Sequence, residues 1–310
     1  MNSVEPQNVA VIGAGLMGRG IALVCARAGH KVCVQDPVTA ALETLHDRVR
    51  ESLILLGADQ TTIDSTIANI SSTSDVSNAV PDAQFVIEAA PEKLELKQAL
   101  FTEIEAHASD DAILASNTSV IQISKIMGHL KHKARAVGTH WWNPPHQIPL
   151  VEVIKTEWTD NACAEKMFSL LQQVGKTPVM VEKDVPGFIG NRLQHALWRE
   201  AISLVENGIC TAEAVDDVVK ASFGRRLAVL GPLENADLVG IELTQDIHKQ
   251  VLFDLENTQQ PSAYLQTLRD KGREGMSSGG GFRDWQEEDL ALTKAKIADH
   301  LVKLETILPR

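Results

Sequence analysis

The residues best suited to chemistry are a histidine and a glutamate in two short apolar runs, His140 and Glu152. His140 ends the run 136–140 and is followed by Trp141-Trp142-Asn143-Pro144-Pro145, whose prolines stiffen the turn. Glu152 sits inside Leu150-Val151-Glu152-Val153-Ile154. A carboxylate in such a strand is costly unless it is partnered, and the economical partner is His140 on a neighbouring strand. A histidine beside a carboxylate can take a proton near neutral pH, because the carboxylate orients the ring and favours the imidazolium that forms. Oxidation of an alcohol by hydride transfer needs such a base. The plain alternative for His140 is a core histidine bonded to a backbone carbonyl. Ser119, in Ser116-Asn117-Thr118-Ser119, could position a substrate oxygen, although the segment also reads as a helix N-cap. Asn191, after Pro186-Gly187-Phe188-Ile189-Gly190, could face a cleft or merely cap the helix it opens.

A hydride acceptor is indicated near the N-terminus. An apolar run over 8–12 leads into Gly13-Ala14-Gly15-Leu16-Met17-Gly18, then a helical spacing over 16–28, then a second apolar run over 31–35 closed by Asp36. Gly13 permits the tight turn, Gly15 lets the backbone approach a pyrophosphate, and Gly18 lets helix and strand pack closely. The free N–H groups of the helix start, around Leu16 and Met17, favour negative charge. Asp36 is placed to accept from ribose hydroxyls, and its charge repels a 2′-phosphate, which selects NAD over NADP. FAD uses the same turn and competes at this point.

These groups need a scaffold. Further strands are expected at 85–88, 113–116, 136–140, 151–154 and 178–181, with helices over 94–107 and 163–174 between them. That alternation predicts an α/β fold with a mostly parallel sheet. Residues 39–70 exceed one crossover helix and are read as a helical excursion from the first domain. After Pro186-Gly187 the pattern turns helical, over 191–206, 211–221, 243–255 and 288–308. The expected domains are therefore 1–185, binding the cofactor, and 186–310, an all-helical substrate-binding and dimerisation domain. Ile297, Leu301, Leu304 and Leu308 form an apolar stripe that packs within the chain or against a partner.

Composition narrows the class. A net charge of −12 with no long basic run speaks against a nucleic-acid partner. No apolar run is long enough for a membrane span, and residues 1–8 lack a signal-peptide pattern. Cys25, Cys33, Cys163 and Cys210 are widely spaced, which suggests free thiols in a reducing, cytoplasmic setting and no metal site.

Taken together, residues 9–18, 87–92, 116–119, 140–145, 149–154, 186–193 and 278–282 resemble the 3-hydroxyacyl-CoA dehydrogenase family over essentially the whole chain. The resemblance implies a Rossmann-type domain followed by a helical domain like that of 6-phosphogluconate dehydrogenase. It implies NAD as cofactor, with FAD set aside, and a homodimer formed through the helical domain. His140 is implied as base, Glu152 as its partner, and Ser119 and Asn191 as substrate-orienting groups. NAD contacts are implied at Gly13, Gly15, Leu16, Met17, Gly18, Asp36, Glu92, Lys97 and Asn117.

Other positions depart from the acyl-CoA-using members. Residues 39–70 contain no lysine, only Arg48 and Arg50, and Asp59 stands about where a CoA-contacting lysine is expected. Ser52 matches a serine of that segment, and Ser277 replaces a lysine near the closing glycines. Residues 223–232, with Arg225 and Arg226, look more like relatives acting on free hydroxy acids, such as L-gulonate and carnitine dehydrogenases. Residues 140–154 are similar to a relative acting on a pyridine carboxylate. An arginine here could clamp a substrate carboxylate, or be a surface charge. The reading is an NAD-dependent dehydrogenase acting on the 3-hydroxyl of a small free acid or, alternatively, of an acyl-CoA; a non-catalytic, crystallin-like NAD-binding protein is the remote alternative.

Overall fold

The computed structural model describes residues 5–308. Its sheet strands are β1 (Asn8–Ile12), β2 (Lys31–Gln35), β3 (Ile70–Thr73), β4 (Phe85–Glu88), β5 (Ile113–Ser116), β6 (Ala136–Trp141), β7 (Leu150–Ile154) and β8 (Thr177–Val181). They lie in the order β3-β2-β1-β4-β5-β6-β7-β8. All pairs are parallel except β6 with β7. The order reverses between β1 and β4, and ligands of such sheets bind at the strand C-termini beside that point.

Short Val- and Ile-rich runs form this sheet because both faces are covered. In β1, Val9 and Val11 enter one apolar core while Ala10 and Ile12 enter the other. The first core is closed by α1 (Leu16–Arg27), whose Ile21, Leu23 and Cys25 are almost fully buried. Helices α2 (Thr39–Glu43), α3 (Leu45–Leu55) and α4 (Gln60–Ala68) follow β2.

Here the structure corrects the sequence reading. Residues 39–70 are no excursion: Leu45, Val49, Leu53 and Ile63 are buried in the same core as α1. Ile70 also begins an unexpected edge strand, β3, paired with β2. Only one of its four residues is buried, so it lacks the apolar run by which the other strands are recognised.

The remaining helices of this unit are α5 (Val76–Ala79), α6 (Leu94–His107), α7 (Ile123–Met127) and α8 (Asn161–Gln173). The connection from β6 to β7 carries the segment after His140, and two contacts fix it. Pro145 lies on Gly20 of α1, where a Cβ would stand 3.0 Å from the proline ring. Buried Lys176 donates from Nζ to the carbonyls of Pro145 and Ile148.

This first compact unit runs to Arg192, beyond the Pro186-Gly187 pair, and so includes the start of α9 (Gly190–Glu206). The second unit, from Leu193, contains the rest of α9 and then α10 (Ala212–Ala221), α11 (Pro232–Val239), α12 (Ile241–Val251), α13 (Ala263–Asp270) and α14 (Asp289–Ile307). Thr211 caps α10 by accepting from the Ala214 N–H. The closing glycine segment is held by Arg273, which donates to the Gly281 carbonyl and pairs with Asp284 at 2.6 Å.

Candidate active site

His140 and Glu152 stand directly opposite each other in the antiparallel β6–β7 ladder. Side chains opposite one another share a face of the sheet, so the pairing brings them together. His140 Nδ1 lies 2.7 Å from Glu152 Oε2, with both residues at most 3% exposed. The other carboxylate oxygen, Oε1, accepts from the N–H groups of Ile189 at 2.8 Å and Gly190 at 3.1 Å. Burial pushes the Glu152 carboxyl upward, but the bonds from His140, Gly190 and Ile189 and the His140 charge hold it below its usual range. Glu152 is therefore an ionised acceptor near neutral pH, which fixes a proton on His140 Nδ1, so that whenever the ring carries a single proton the Nε2 lone pair is left for a substrate proton.

At the end of β1, the glycine turn fits a dinucleotide. A Cβ on Gly13 would meet the Ala89 carbonyl at 2.8 Å, and one on Gly18 would overlap the Gly13 carbonyl. A Cβ on Gly15 would meet no protein atom within 4 Å, so that face of the turn is clear for a pyrophosphate. No side chain caps the N-terminus of α1 and no acidic residue lies in its first turn, where Leu16 and Met17 sit. Asp36 accepts from the Ala14 N–H at 2.7 Å and the Val38 N–H at 2.8 Å, tying the turn to the end of β2.

Between these two centres, at the ends of β4 and β5, lies a network that the sequence reading only partly anticipated. Buried Glu88 takes three donors: Lys97 Nζ and the Ala90 N–H on Oε1, and the Ser116 hydroxyl on Oε2, each at 2.6 Å. Lys97, expected against NAD, is instead turned inward and fully buried, with a second carboxylate, Glu92, at 3.4 Å. Glu92 Oε1 accepts from the Thr118 hydroxyl and from the N–H groups of Ser119 and Val120. Burial raises the Glu92 carboxyl, but Thr118, Lys97, Ser119 and Val120 outweigh it and leave it lowered.

Glu88 and Thr118 were the residues missed. Glu88 carried the signal used for Glu152, a carboxylate ending the apolar run Phe85-Val86-Ile87-Glu88.

Ser119 is held in this network by its backbone, and its side chain is exposed. Its carbonyl accepts from Asn191 Nδ2 at 2.7 Å, so Asn191 is aimed at the Ser119 loop. The Ser116–Ser119 segment caps no helix: Asp184 accepts from the Ile123 and Ser124 N–H groups at the start of α7. Asn117 Oδ1 accepts from the Trp141 N–H at 3.0 Å, joining the ends of β5 and β6.

Arg225 and Arg226 belong to the second unit, where a short 3-10 turn (Phe223–Arg225) leaves both exposed. Among the described residues, neither makes a salt bridge. Of the arginines of the first unit, Arg48 pairs with Glu51 at 3.1 Å and Arg50 with Asp64 at 3.6 Å. Asp59 caps α4 on the Thr62 N–H, and Ser52 donates to the Arg48 carbonyl. Ser277 lies exposed in the closing segment.

A parallel-dominated sheet whose glycine turn is clear for a phosphate, with an acid at the end of β2, defines a dinucleotide-binding fold. Residues 8–185 match the NAD-binding domain of 3-hydroxyacyl-CoA dehydrogenase, and residues 187–285 match that enzyme's C-terminal domain. The chain belongs to the 3-hydroxyacyl-CoA dehydrogenase family, and its cofactor is NAD. It is 34% identical over 303 residues to 5-formyl-3-hydroxy-2-methylpyridine 4-carboxylate 5-dehydrogenase of Mesorhizobium japonicum, covering 97% of this chain and 98% of that one. It is 36% identical over 290 residues to human mitochondrial hydroxyacyl-coenzyme A dehydrogenase, covering 89% and 90%. Among solved structures, the pyridine carboxylate enzyme, described as an NAD+-dependent dismutase, superposes with a TM-score of 0.89 at 34% identity over 98% of both chains. The (S)-3-hydroxybutyryl-CoA dehydrogenase of Ralstonia eutropha gives 0.77 at 28% identity, over 91% of this chain and 100% of that one.

Proposed function

We propose that the chain oxidises the 3-hydroxyl of a small carboxylic acid to the 3-oxo product, with His140 as base and Glu152 as its partner. The observation that carries this reading is the buried 2.7 Å His140–Glu152 bond at the end of β6. NAD, which the Gly13–Gly18 turn would hold, would supply the hydride acceptor. His140 Nε2 takes the hydroxyl proton, and Glu152 stabilises the imidazolium formed. Ser119 and Asn191 orient the substrate, Asn191 also fixing the Ser119 carbonyl. Glu92 and Asn117 shape the cofactor side, and Lys97 serves it by holding Glu92 and Glu88 in place.

Two observations favour a free acid over a CoA thioester. Arg48 and Arg50 already face carboxylates, whereas among the described residues Arg225 and Arg226 have no salt-bridge partner. One relative, 34% identical and covered over 98% of its length, is named for a pyridine carboxylate. The test compares initial rates of NADH formation with 3-hydroxybutyryl-CoA, 3-hydroxybutyrate, L-gulonate, carnitine and 5-formyl-3-hydroxy-2-methylpyridine 4-carboxylate. A CoA preference of about 100-fold, roughly 2.7 kcal/mol, would overturn the free-acid assignment. Inactivity on all five, with NAD bound, would overturn the enzymatic one.

The helical unit is proposed to bind substrate and to form a homodimer. Val229, Leu233, Leu238, Ile241 and Phe253 are each at least 67% exposed in the chain, and Ile297 of α14 is 52% exposed. Sedimentation equilibrium decides this: a monomer at micromolar concentration would refute it. A reducing, cytoplasmic setting is proposed from the four unpaired cysteines, two of them buried, and fractionation of the source cell checks it.

A further inference from the structure

Among the described residues, Phe188 is the one non-glycine with a positive φ, at 51°. An L side chain is strained there, and glycine would not be. The preceding residue, Gly187, already has φ 74°. If the turn needed only a left-handed backbone, a second glycine would serve better, so the presence of Phe at this position indicates that the ring is used.

The ring's surroundings show for what. Phe188 is 1% exposed, and its ring centroid lies 5.7 Å from that of His140, tilted by 51°. The His140 ring also meets Trp142, at 5.1 Å and 48°. Trp142 is seated by Gly190, where a Cβ would stand 2.4 Å from the indole. The two residues after Phe188 supply the N–H groups that converge on Glu152 Oε1, the oxygen that does not hold His140. One turn therefore touches both members of the pair, the imidazole through a ring and the carboxylate through two amides.

We propose that Phe188 is a positioning residue for the His140–Glu152 pair. Its left-handed backbone aims the Ile189 and Gly190 amides at Glu152, and its ring wedges the imidazole against Trp142, so the pair holds one relative orientation. The proposal rests on the reading of His140 as the base. Local hydrophobic packing alone would leave the tautomer of His140 indifferent to this side chain. Positioning makes the tautomer depend on it, because Nδ1 keeps its proton only while it points at the carboxylate.

The test is nitrogen NMR on protein labelled with 15N-histidine, with the His140 signals identified by their loss in His140→Gln. In the unsubstituted protein near pH 8, His140 should show one tautomer, protonated on Nδ1. Phe188→Gly relieves the backbone and deletes the ring, and should give a mixture of both tautomers. Its kcat should fall by about tenfold or more, as expected for a displaced base, while the Kd for NAD stays within about threefold. Phe188→Leu keeps apolar volume and tests the same point should the glycine variant fail to fold. A single Nδ1–H tautomer with unchanged kcat in either variant overturns the proposal. If the tautomer responds to Phe188 but the protein is inactive on all five test substrates, positioning stands and the dehydrogenase reading falls.

Discussion

Replacing Glu152 by Gln tests the candidate site most directly, because the change keeps size and removes charge. In the transition state His140 becomes an imidazolium facing this carboxylate across a 2.7 Å bond. Two unit charges about 4 Å apart interact by about 4 kcal/mol at an effective dielectric of about 20. Allowing half of that to be replaced by reorganised dipoles gives a loss of about 2–4 kcal/mol, or roughly 30- to 1000-fold in kcat. A second loss follows from the neighbours. The Ile189 and Gly190 N–H groups require an oxygen at the Oε1 position, so the amide introduced by Glu152→Gln must turn its NH2 toward His140. That donor makes Nδ1 the acceptor and moves the proton to Nε2, the nitrogen that should be free. Glu152→Gln should therefore be at least as damaging as Glu152→Ala, although it is the gentler change in shape. The assay is NADH formation at saturating substrate and NAD, using the fastest acid of the panel, with NAD affinity measured by fluorescence. A folded Glu152→Gln protein with kcat within threefold of the parent would refute the pairing as a catalytic device.

Asp36→Asn keeps an acceptor for the Ala14 N–H but removes the charge that repels a 2′-phosphate, so the NAD-over-NADP preference in kcat/KM should fall by about tenfold or more. An unchanged ratio would remove Asp36 from that role. Lys97→Met strands buried Glu88 without its counter-charge and should cost about 3–5 kcal/mol of stability, read from urea unfolding; a loss under 1 kcal/mol would show that the pair is dispensable. The Glu92 carboxyl, with an ordinary value of 4.5, is lowered in the fold, so its contribution is fully present above about that pH and is lost as pH falls through the lower folded value. The melting-temperature gap between the parent and Glu92→Gln should thus be constant from pH 6 to 8 and shrink below about pH 4; a gap that widens in acid would reverse the sign.

What could be read from the sequence was whatever had a local signature. The first turn needs glycine at three positions for three steric reasons, and each appears as a specific clash or clearance in the fold. Glu152 was legible because an apolar strand does not tolerate an unpartnered carboxylate, and the antiparallel register then put His140 opposite it. The same logic reaches Glu88, but nothing in the spacing reveals that Lys97 turns inward to meet it, because that depends on how α6 seats on β4. Asn191 was ambiguous for a similar reason: its acceptor is the Ser119 backbone carbonyl, which every residue possesses. Strand β3 was hidden because Ile70-Ser71-Ser72-Thr73 is an edge with a single buried side chain. Helices α3 and α4 read as an excursion from sequence alone because their apolar faces meet α1, a partner distant in sequence.

On the proposed free-acid reading, substrate choice falls to charges that the shared motifs do not specify. At the ends of β4, β5, β6 and β7, Glu88, Lys97, Ser116, His140 and Glu152 are engaged with one another, so this set supplies proton transfer and keeps Lys97 from a substrate carboxylate. Arg48 and Arg50 are likewise engaged. Arg225 and Arg226 are the guanidinium groups singled out by sequence that lack a salt-bridge partner among the described residues, and a guanidinium binds a carboxylate through two parallel bonds. Charge-assisted hydrogen bonds of this kind contribute about 1.5–3 kcal/mol, so Arg225→Ala or Arg226→Ala should lower kcat/KM for a free acid by roughly 10- to 150-fold. The paired change Arg48→Ala with Arg50→Ala should leave it within about twofold. Initial rates over a substrate series give both numbers. The opposite pattern, with the free-acid rate indifferent to Arg225 and Arg226 and turnover of 3-hydroxybutyryl-CoA sensitive to Arg48 and Arg50, would mean that the ion pairs of α3 open to receive phosphate. The chain would then act on a CoA thioester.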